Sequence, residues 1–237
     1  MIKNKVNLIL ISVSLLCVLS LALNFVILYS IPINATQIFN NCKSSIVEVK
    51  AYTESVGTSY GTAEIIKEDG TLVTNAHVIT YKQLGEYYEF ENISIRFIDE
   101  NDYREVSIVK YDLDKDIAIL KLECDRQLTT LSIGDDEKLN NGESVFAIGN
   151  MSNYGLSITS GIVAIPHINV EYNDITRNVI QCDITISDGN SGGALLNAKG
   201  QIVGITSFRL KDLSANIIYG IAYCIPINTV MEYIDIN

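Results

Sequence analysis

The chain has 237 residues, 28 of them acidic and 17 basic, for a formal charge of −11, and 48% of it is hydrophobic. That profile excludes a disordered or collagen-like chain, because there is ample apolar material to bury a core. The acidity is equally unsuited to nucleic acid as a partner or to polybasic docking on anionic lipid.

The first element is apolar. No charged residue lies between Lys5 and Lys43, and Leu8–Tyr29 is 22 residues of mostly Leu, Ile, Val and Ser, interrupted by Asn24. At about 1.5 Å per residue, such a helix crosses a hydrocarbon core of roughly 30 Å. It is longer than the apolar region of a cleavable leader, and Ile31-Pro32-Ile33 is a poor cleavage site. We therefore expect a cytoplasmic tail at 1–5, a transmembrane signal anchor at 6–29 and a juxtamembrane linker at 30–42. Lys3 and Lys5 stay inside, so the expected protein is a single-pass protein of the cell membrane whose remainder is extracytoplasmic. Cys17 falls in the anchor. Cys42, Cys124, Cys182 and Cys224 fall outside, where pairing is permitted and three pairings are open. No C-x-x-C pair exists, so a zinc site has no support and no metal is expected.

After the linker the punctuation favours strands. Ser45–Ala51, Gly61–Ile66, Thr71–Thr74, Ile93–Phe97, Val106–Val109 and Ile117–Leu122 are short apolar runs separated by Gly, Asp and Asn turns. A second series follows at Ser144–Ile148, Ser157–Ile165, Val179–Thr185, Ala194–Leu196, Ile202–Ser207 and Tyr219–Ile225. Six runs before about Leu131 and six after predict an all-β pair of six-stranded antiparallel barrels, at 43–130 and 131–237, joined near Thr129–Asn141. Only Asn228–Ile236, at the end of the second barrel, has the spacing of a helix.

Three stretches carry chemistry, in the order His, Asp, Ser. Thr74-Asn75-Ala76-His77-Val78-Ile79 puts a histidine directly after an apolar strand. Asp114-Lys115-Asp116-Ile117-Ala118-Ile119-Leu120 runs an acid into an alternating strand, and Asp188-Gly189-Asn190-Ser191-Gly192-Gly193-Ala194 surrounds a serine with glycines. A serine hydroxyl is a poor nucleophile and needs a neighbouring base to take its proton. The base in turn needs a buried acid to fix its tautomer and stabilise the imidazolium. Gly189 allows backbone N–H groups to converge on a developing oxyanion. The other histidine, His167, follows Pro166 in a polar stretch and reads as a loop residue.

Together these stretches resemble the trypsin-like serine proteases, and specifically the HtrA/Deg family, over nearly all of Ser45 to Val230. Val145-Phe146-Ala147-Ile148-Gly149-Asn150, Ser160-Gly161-Ile162-Val163 and Gly220-Ile221-Ala222-Tyr223-Cys224-Ile225-Pro226 extend the likeness. The resemblance implies a cofactor-free serine endopeptidase with His77 as base, Asp116 as orienting acid and Ser191 as nucleophile. An oxyanion hole would form over Gly189, Asn190 and Ser191. A substrate pocket would lie between Thr185, Ile186 and Asp188 on one side and Ile205, Thr206 and Ser207 on the other. The family further implies unfolded or exported proteins as substrates, a role in their quality control, and a homotrimer. The chain departs from the pattern at Gly61-Thr62-Ala63-Glu64, where the family has Gly-Ser-Gly and an apolar residue, and at Asp188, where it has proline. Many members continue into a PDZ domain; here 11 residues follow Pro226.

Two other readings compete. Asp112, Asp114, Asp116 and Glu123 fall at calcium-loop spacing, but the sixth position, which needs glycine, is Ile117. A binding or chaperone-like module on the same fold would have no need of all three reactive residues, so the hydrolytic reading is preferred.

Overall fold

A computed structural model describes residues 13–20, 34–172, 175–210 and 220–235. The chain divides into two units, residues 1–33 and residues 34–237. In the first, residues 13–20 are helical (α1). No helix among the described residues is long and apolar enough to cross a membrane. The rest of the expected anchor lies outside the described residues.

The second unit opens on a helix where the sequence suggested only a linker. Helix α2 (Ala35–Cys42) starts with a capping box: Asn34 accepts from the Gln37 amide, and the Gln37 side chain accepts from the Asn34 amide. Its buried face, Ile38 and Cys42, docks on the domain, where the Cys42 thiol reaches the Gly200 carbonyl.

The first sheet holds β1 (Ile46–Thr53), β2 (Gly57–Ile65), β3 (Thr71–Thr74), β6 (Asn92–Phe97), β7 (Arg104–Glu105), β8 (Ser107–Asp112) and β9 (Ile117–Lys121), in the order β7-β6-β1-β2-β3-β9-β8. Its ladder does not close as the expected six-stranded barrel would. The two edge strands are nonetheless consecutive, separated only by Val106, whose amide turns to the Ile93 carbonyl. One bent strand therefore spans both edges, and counting it once gives the six strands read from the sequence. Val47, Val49, Ile65, Leu72, Ile95 and Leu120 fill this core. A small separate hairpin, β4 (Thr80–Gln83) with β5 (Glu86–Glu89), was not predicted.

The second sheet is a closed six-stranded barrel in the order β10-β11-β12-β15-β14-β13. Its strands are β10 (Ser144–Gly149), β11 (Ser157–Tyr172), β12 (Ile175–Cys182), β13 (Ala194–Asn197), β14 (Ile202–Phe208) and β15 (Ala222–Pro226). β11 is 16 residues long, and its register against β12 shifts twice, between Val163 and Ile165 and between Ile165 and Ile168. Such bulges bend a long strand around a small barrel. The closing helix α4 (Ile227–Asp235) packs on β14, β15 and β9, tying the two sheets together.

Side chains on β2 alternate between two environments. Ala63 and Ile65 enter the first core, whereas Thr62 and Glu64 face the other way. Glu64 is fully buried beside its cross-strand partners Ile46 and Val73, and neither carboxylate oxygen has a hydrogen-bond partner. Burial pushes its carboxyl well above the usual glutamate range, which its own backbone amide offsets only in part.

Candidate active site

The histidine sits on a single helical turn, α3 (Ala76–Ile79), between β3 and β4. Asn75 follows β3 in extended conformation, and Thr80 closes the turn by donating to the Ala76 carbonyl. Asp116 precedes β9 with φ 58°, a left-handed conformation that Asp tolerates better than most residues. Neighbours hold it there: Asn75 Nδ2 donates to its carbonyl at 2.9 Å.

The carboxylate of Asp116, 6% exposed, is enclosed by donors. It accepts from the His77 amide at 3.0 Å, from His77 Nδ1 at 2.9 Å to each oxygen, and from the Ser207 hydroxyl at 2.6 Å. Burial alone would raise its pKa; the charge and hydrogen bond of His77, then the Ser207 hydroxyl and His77 amide, reverse this and hold it below the usual aspartate range. For His77 the balance runs the other way. Desolvation pulls the imidazole down, but the charge and hydrogen bond of Asp116 outweigh it, with Arg177 opposing, and the net shift is upward. With Nδ1–H directed at Asp116, the neutral tautomer leaves the Nε2 lone pair free as a base. Nearly half of the His77 side chain remains open to solvent.

Ser191 lies in the turn before β13. Gly189 has φ 90°, and a Cβ there would come 2.1 Å from the Asn150 carbonyl oxygen. Gly192 has φ 78°, and a Cβ there would strike Thr74 Oγ1 and the Thr62 carbonyl oxygen at 2.2 and 2.3 Å. Only glycine fits either place. The Asp188 carbonyl accepts from the Ser152 amide at 2.7 Å, which turns the Gly189 N–H the opposite way across the same peptide plane. Neither the Gly189 nor the Ser191 amide donates to a protein acceptor among the described residues. Asn190 differs from the expectation: its amide donates to Ser187 at 3.0 Å and is unavailable to an oxyanion. Two amides at this turn, those of Gly189 and Ser191, are therefore left open among the described residues.

The Ser191 hydroxyl donates to the Ser207 carbonyl at 3.4 Å and makes no hydrogen bond to His77 among the described residues. A serine rotor resting on another acceptor is common without substrate, when catalytic hydrogen bonds are often long or poorly aligned.

The expected pocket residues divide. Thr185 and Asp188 are exposed, and Asp188 meets Arg209 at 3.6 Å. Ile186 and Ile205 are buried, Ile186 within the second core. Thr206 is also buried, donating to the Asn190 carbonyl and accepting from the Gly193 amide. Ser207 serves the acid rather than a pocket wall.

Thr62 was passed over except as a departure, yet it joins the two sheets at the site. Its hydroxyl donates to the Gly189 carbonyl at 2.8 Å and accepts from the Asn150 amide at 2.9 Å. Its own amide donates to the Ser191 carbonyl at 2.9 Å, and its carbonyl accepts from Thr74 Oγ1 at 2.6 Å. The signal was present in part, since Thr replaces a Ser and keeps the hydroxyl.

Asp112 is occupied by Lys115, and Asp116 by His77 and Ser207, which removes both from the calcium-loop pattern. Among the described residues, Asp136, Glu137 and His167 bring potential ligand atoms within 4.8 Å of one another. His167 lies on β11 rather than in a loop, and this group belongs to none of the reacting residues. A depression of about 670 Å³ between Ile133–Leu139 and Asn197–Gln201 likewise touches none of His77, Asp116 or Ser191.

Residues 61–205, holding all three of those residues, match the family described as "Trypsin-like peptidase domain". The chain belongs to the trypsin-like peptidase family. Its relatives are of the HtrA type. It is 36% identical over 179 residues to "Probable periplasmic serine endoprotease DegP-like" of Halomonas elongata, covering 75% of this chain and 35% of that protein. It is 31% identical over 178 residues to the protein of the same description in Rickettsia prowazekii, covering 74% and 33%. The solved structure "HtrA-type protease AlgW with tripeptide" superposes with a TM-score of 0.71 at 26% identity, covering 83% of this chain and 61% of that one. The chain thus spans about a third of the length of these curated relatives.

Proposed function

We propose that this trypsin-like peptidase chain is a serine endopeptidase acting through His77, Asp116 and Ser191. The observation that carries the reading is the buried Asp116 carboxylate bonded to His77 Nδ1 beside a serine flanked by two undonated amides. In the first step Ser191 Oγ attacks the scissile carbonyl while His77 Nε2 takes its proton. The Gly189 and Ser191 amides hold the resulting oxyanion. His77 then returns the proton to the leaving amine as the C–N bond breaks, leaving an acyl-Ser191 ester. Water attacks that ester with His77 again as base, and Ser191 is restored. Asp116 stays ionised throughout and stabilises the imidazolium.

The relatives' descriptions as periplasmic support an extracytoplasmic site of action. We further propose that Leu8–Tyr29 anchors the chain in the membrane, that substrates are unfolded or exported proteins met on that side in the course of their quality control, and that the chain assembles as a homotrimer. A fluorophosphonate probe tests the chemistry, because it reacts only with an activated serine. Wild-type protein should label at Ser191, and Ser191→Ala should not label while remaining folded. A folded wild type that fails to label favours a non-cleaving binder instead.

A further inference from the structure

Among the described residues, two side chains of the second barrel reach the turn of the first sheet that carries Asp116. One is the Ser207 hydroxyl on the Asp116 carboxylate. The other is Arg177, on β12, whose Nε and Nη2 donate to the carbonyls of Asp114 and Leu113 at 2.5 and 2.9 Å. Those carbonyls belong to the turn that delivers Asp116, two and three residues before it. A planar guanidinium presents its donors at fixed separation, so two successive carbonyls hold it, and it holds them, in one orientation. The guanidinium is braced in turn by the rings of Tyr172 and Phe208, 5.9 and 6.0 Å away, which stack on each other at 4.3 Å. Phe208 adjoins Ser207, so both attachments leave the same corner of the barrel.

The turn needs such a hold. Its last residue is left-handed at Asp116, and within it the Asp112 carboxylate draws in the Lys115 amide and ammonium and the Asp114 amide. Displacing the 113–114 peptides would tilt the carboxylate away from His77 Nδ1.

We propose that Arg177 is a positioning residue for the catalytic acid, clamping the turn before Asp116 onto the second barrel so that the His77–Asp116 pair forms only when the two sheets are docked. The proposal rests on the hydrolase reading above. The Arg177 cation also opposes protonation of His77, which gives the clamp an electrical signature separate from its mechanical one.

The experiment compares wild type, Arg177→Met and Arg177→Lys by kcat, KM and the pH profile of kcat/KM on a peptide substrate, with fluorophosphonate labelling of each. Arg177→Met should lose about 10–100-fold in kcat, the range expected of a misplaced catalytic group. Its KM should stay within about threefold of wild type, a change too small to mark a lost substrate contact. Its acidic limb should move to higher pH, because a charge disfavouring the imidazolium is gone. Arg177→Lys should keep the wild-type limb but still lose kcat, since an ammonium cannot fork to two carbonyls. Unchanged kcat and limb in Arg177→Met overturns the clamp, as does a rise in KM alone. A loss of stability without movement of the limb shows a merely structural role and overturns it too. Should Arg177→Met fail to fold, a folded Arg177→Lys with wild-type kcat overturns it. Wild type that does not label overturns the hydrolase reading and the clamp with it, whereas a labelled wild type beside unaltered variants overturns the clamp alone.

Discussion

At the scale of single residues, the proposed chemistry rests on opposed electrostatics in one hydrogen-bonded pair. Asp116 lies below its usual range because His77 and Ser207 donate to it, and His77 lies above its own because Asp116 is ionised. Asp116→Asn keeps the shape and removes the charge. Turnover should fall by about 10⁴-fold, because the amide can leave the imidazole in the wrong tautomer. The sign of the pH effect follows from the base needing to be neutral. With the carboxylate gone, His77 deprotonates more easily, so the acidic limb of kcat/KM should move to lower pH. A limb that stays in place would mean that another group titrates. Thr62 offers a second test. Thr62→Val preserves volume but strands the Gly189 carbonyl and Asn150 amide, at a cost of about 1–3 kcal/mol. Urea unfolding should register that loss and kcat should fall with it, while Thr62→Ser should retain both.

At the scale of elements, β2 carries an internal conflict. Its Thr62 side chain organises the site, and Glu64, two residues on and on the same face, is buried with both oxygens unpartnered. A carboxyl whose folded pKa is raised takes up a proton on folding. Its contribution is therefore fully present below the unfolded pKa and is lost as pH rises from there through the folded value. Glu64→Leu removes the ionisable group, so it should stabilise the fold at neutral pH by about 1–3 kcal/mol. It should also flatten the decline of stability with rising pH. Chemical denaturation across pH measures both, and a variant no more stable than wild type would show that the site repacks badly around leucine. What the sequence made legible divides along similar lines. His77, Asp116 and Ser191 stood out as candidates because the proposed chemistry demands residue types in short local patterns, and the fold brings His77 and Asp116 into hydrogen-bond contact. Ser207, Arg177 and Thr62 act through hydrogen bonds spanning 91, 63 and 127 residues, and no local pattern marks such partners. The β4–β5 hairpin was missed for a different reason. Its turn places Leu84 and Gly85 both at positive φ, a geometry that sequence reading associates with Asn-Gly or Asp-Gly, not with leucine.

At the scale of the whole molecule, the folded peptidase unit and the apolar N-terminal segment are separable. The compact unit begins at Asn34, where the residue that caps α2 is also the first of the domain. Ile38 and Cys42 then bury α2 against it, so the chain is anchored to its own fold within two turns of that start. Upstream, residues 6–33 contain no charge, and Lys3 and Lys5 precede them. If the segment 6–29 holds the protein in a bilayer, the full chain should remain with membranes through alkaline carbonate extraction, which strips peripheral proteins. A chain beginning at Asn34 should instead be soluble, because the apolar segment that would hold the bilayer is gone. The two forms should label with fluorophosphonate at rates within about twofold, since no reacting group lies in the removed segment and surface changes away from the site have small effects. In intact cells a reagent that cannot cross the membrane should label Ser191 as well as one that can, the outcome expected if Ser191 lies outside. Release of the full chain by carbonate, without cleavage, would refute the anchor; a mature form starting near Thr36 would show that a leader is removed instead.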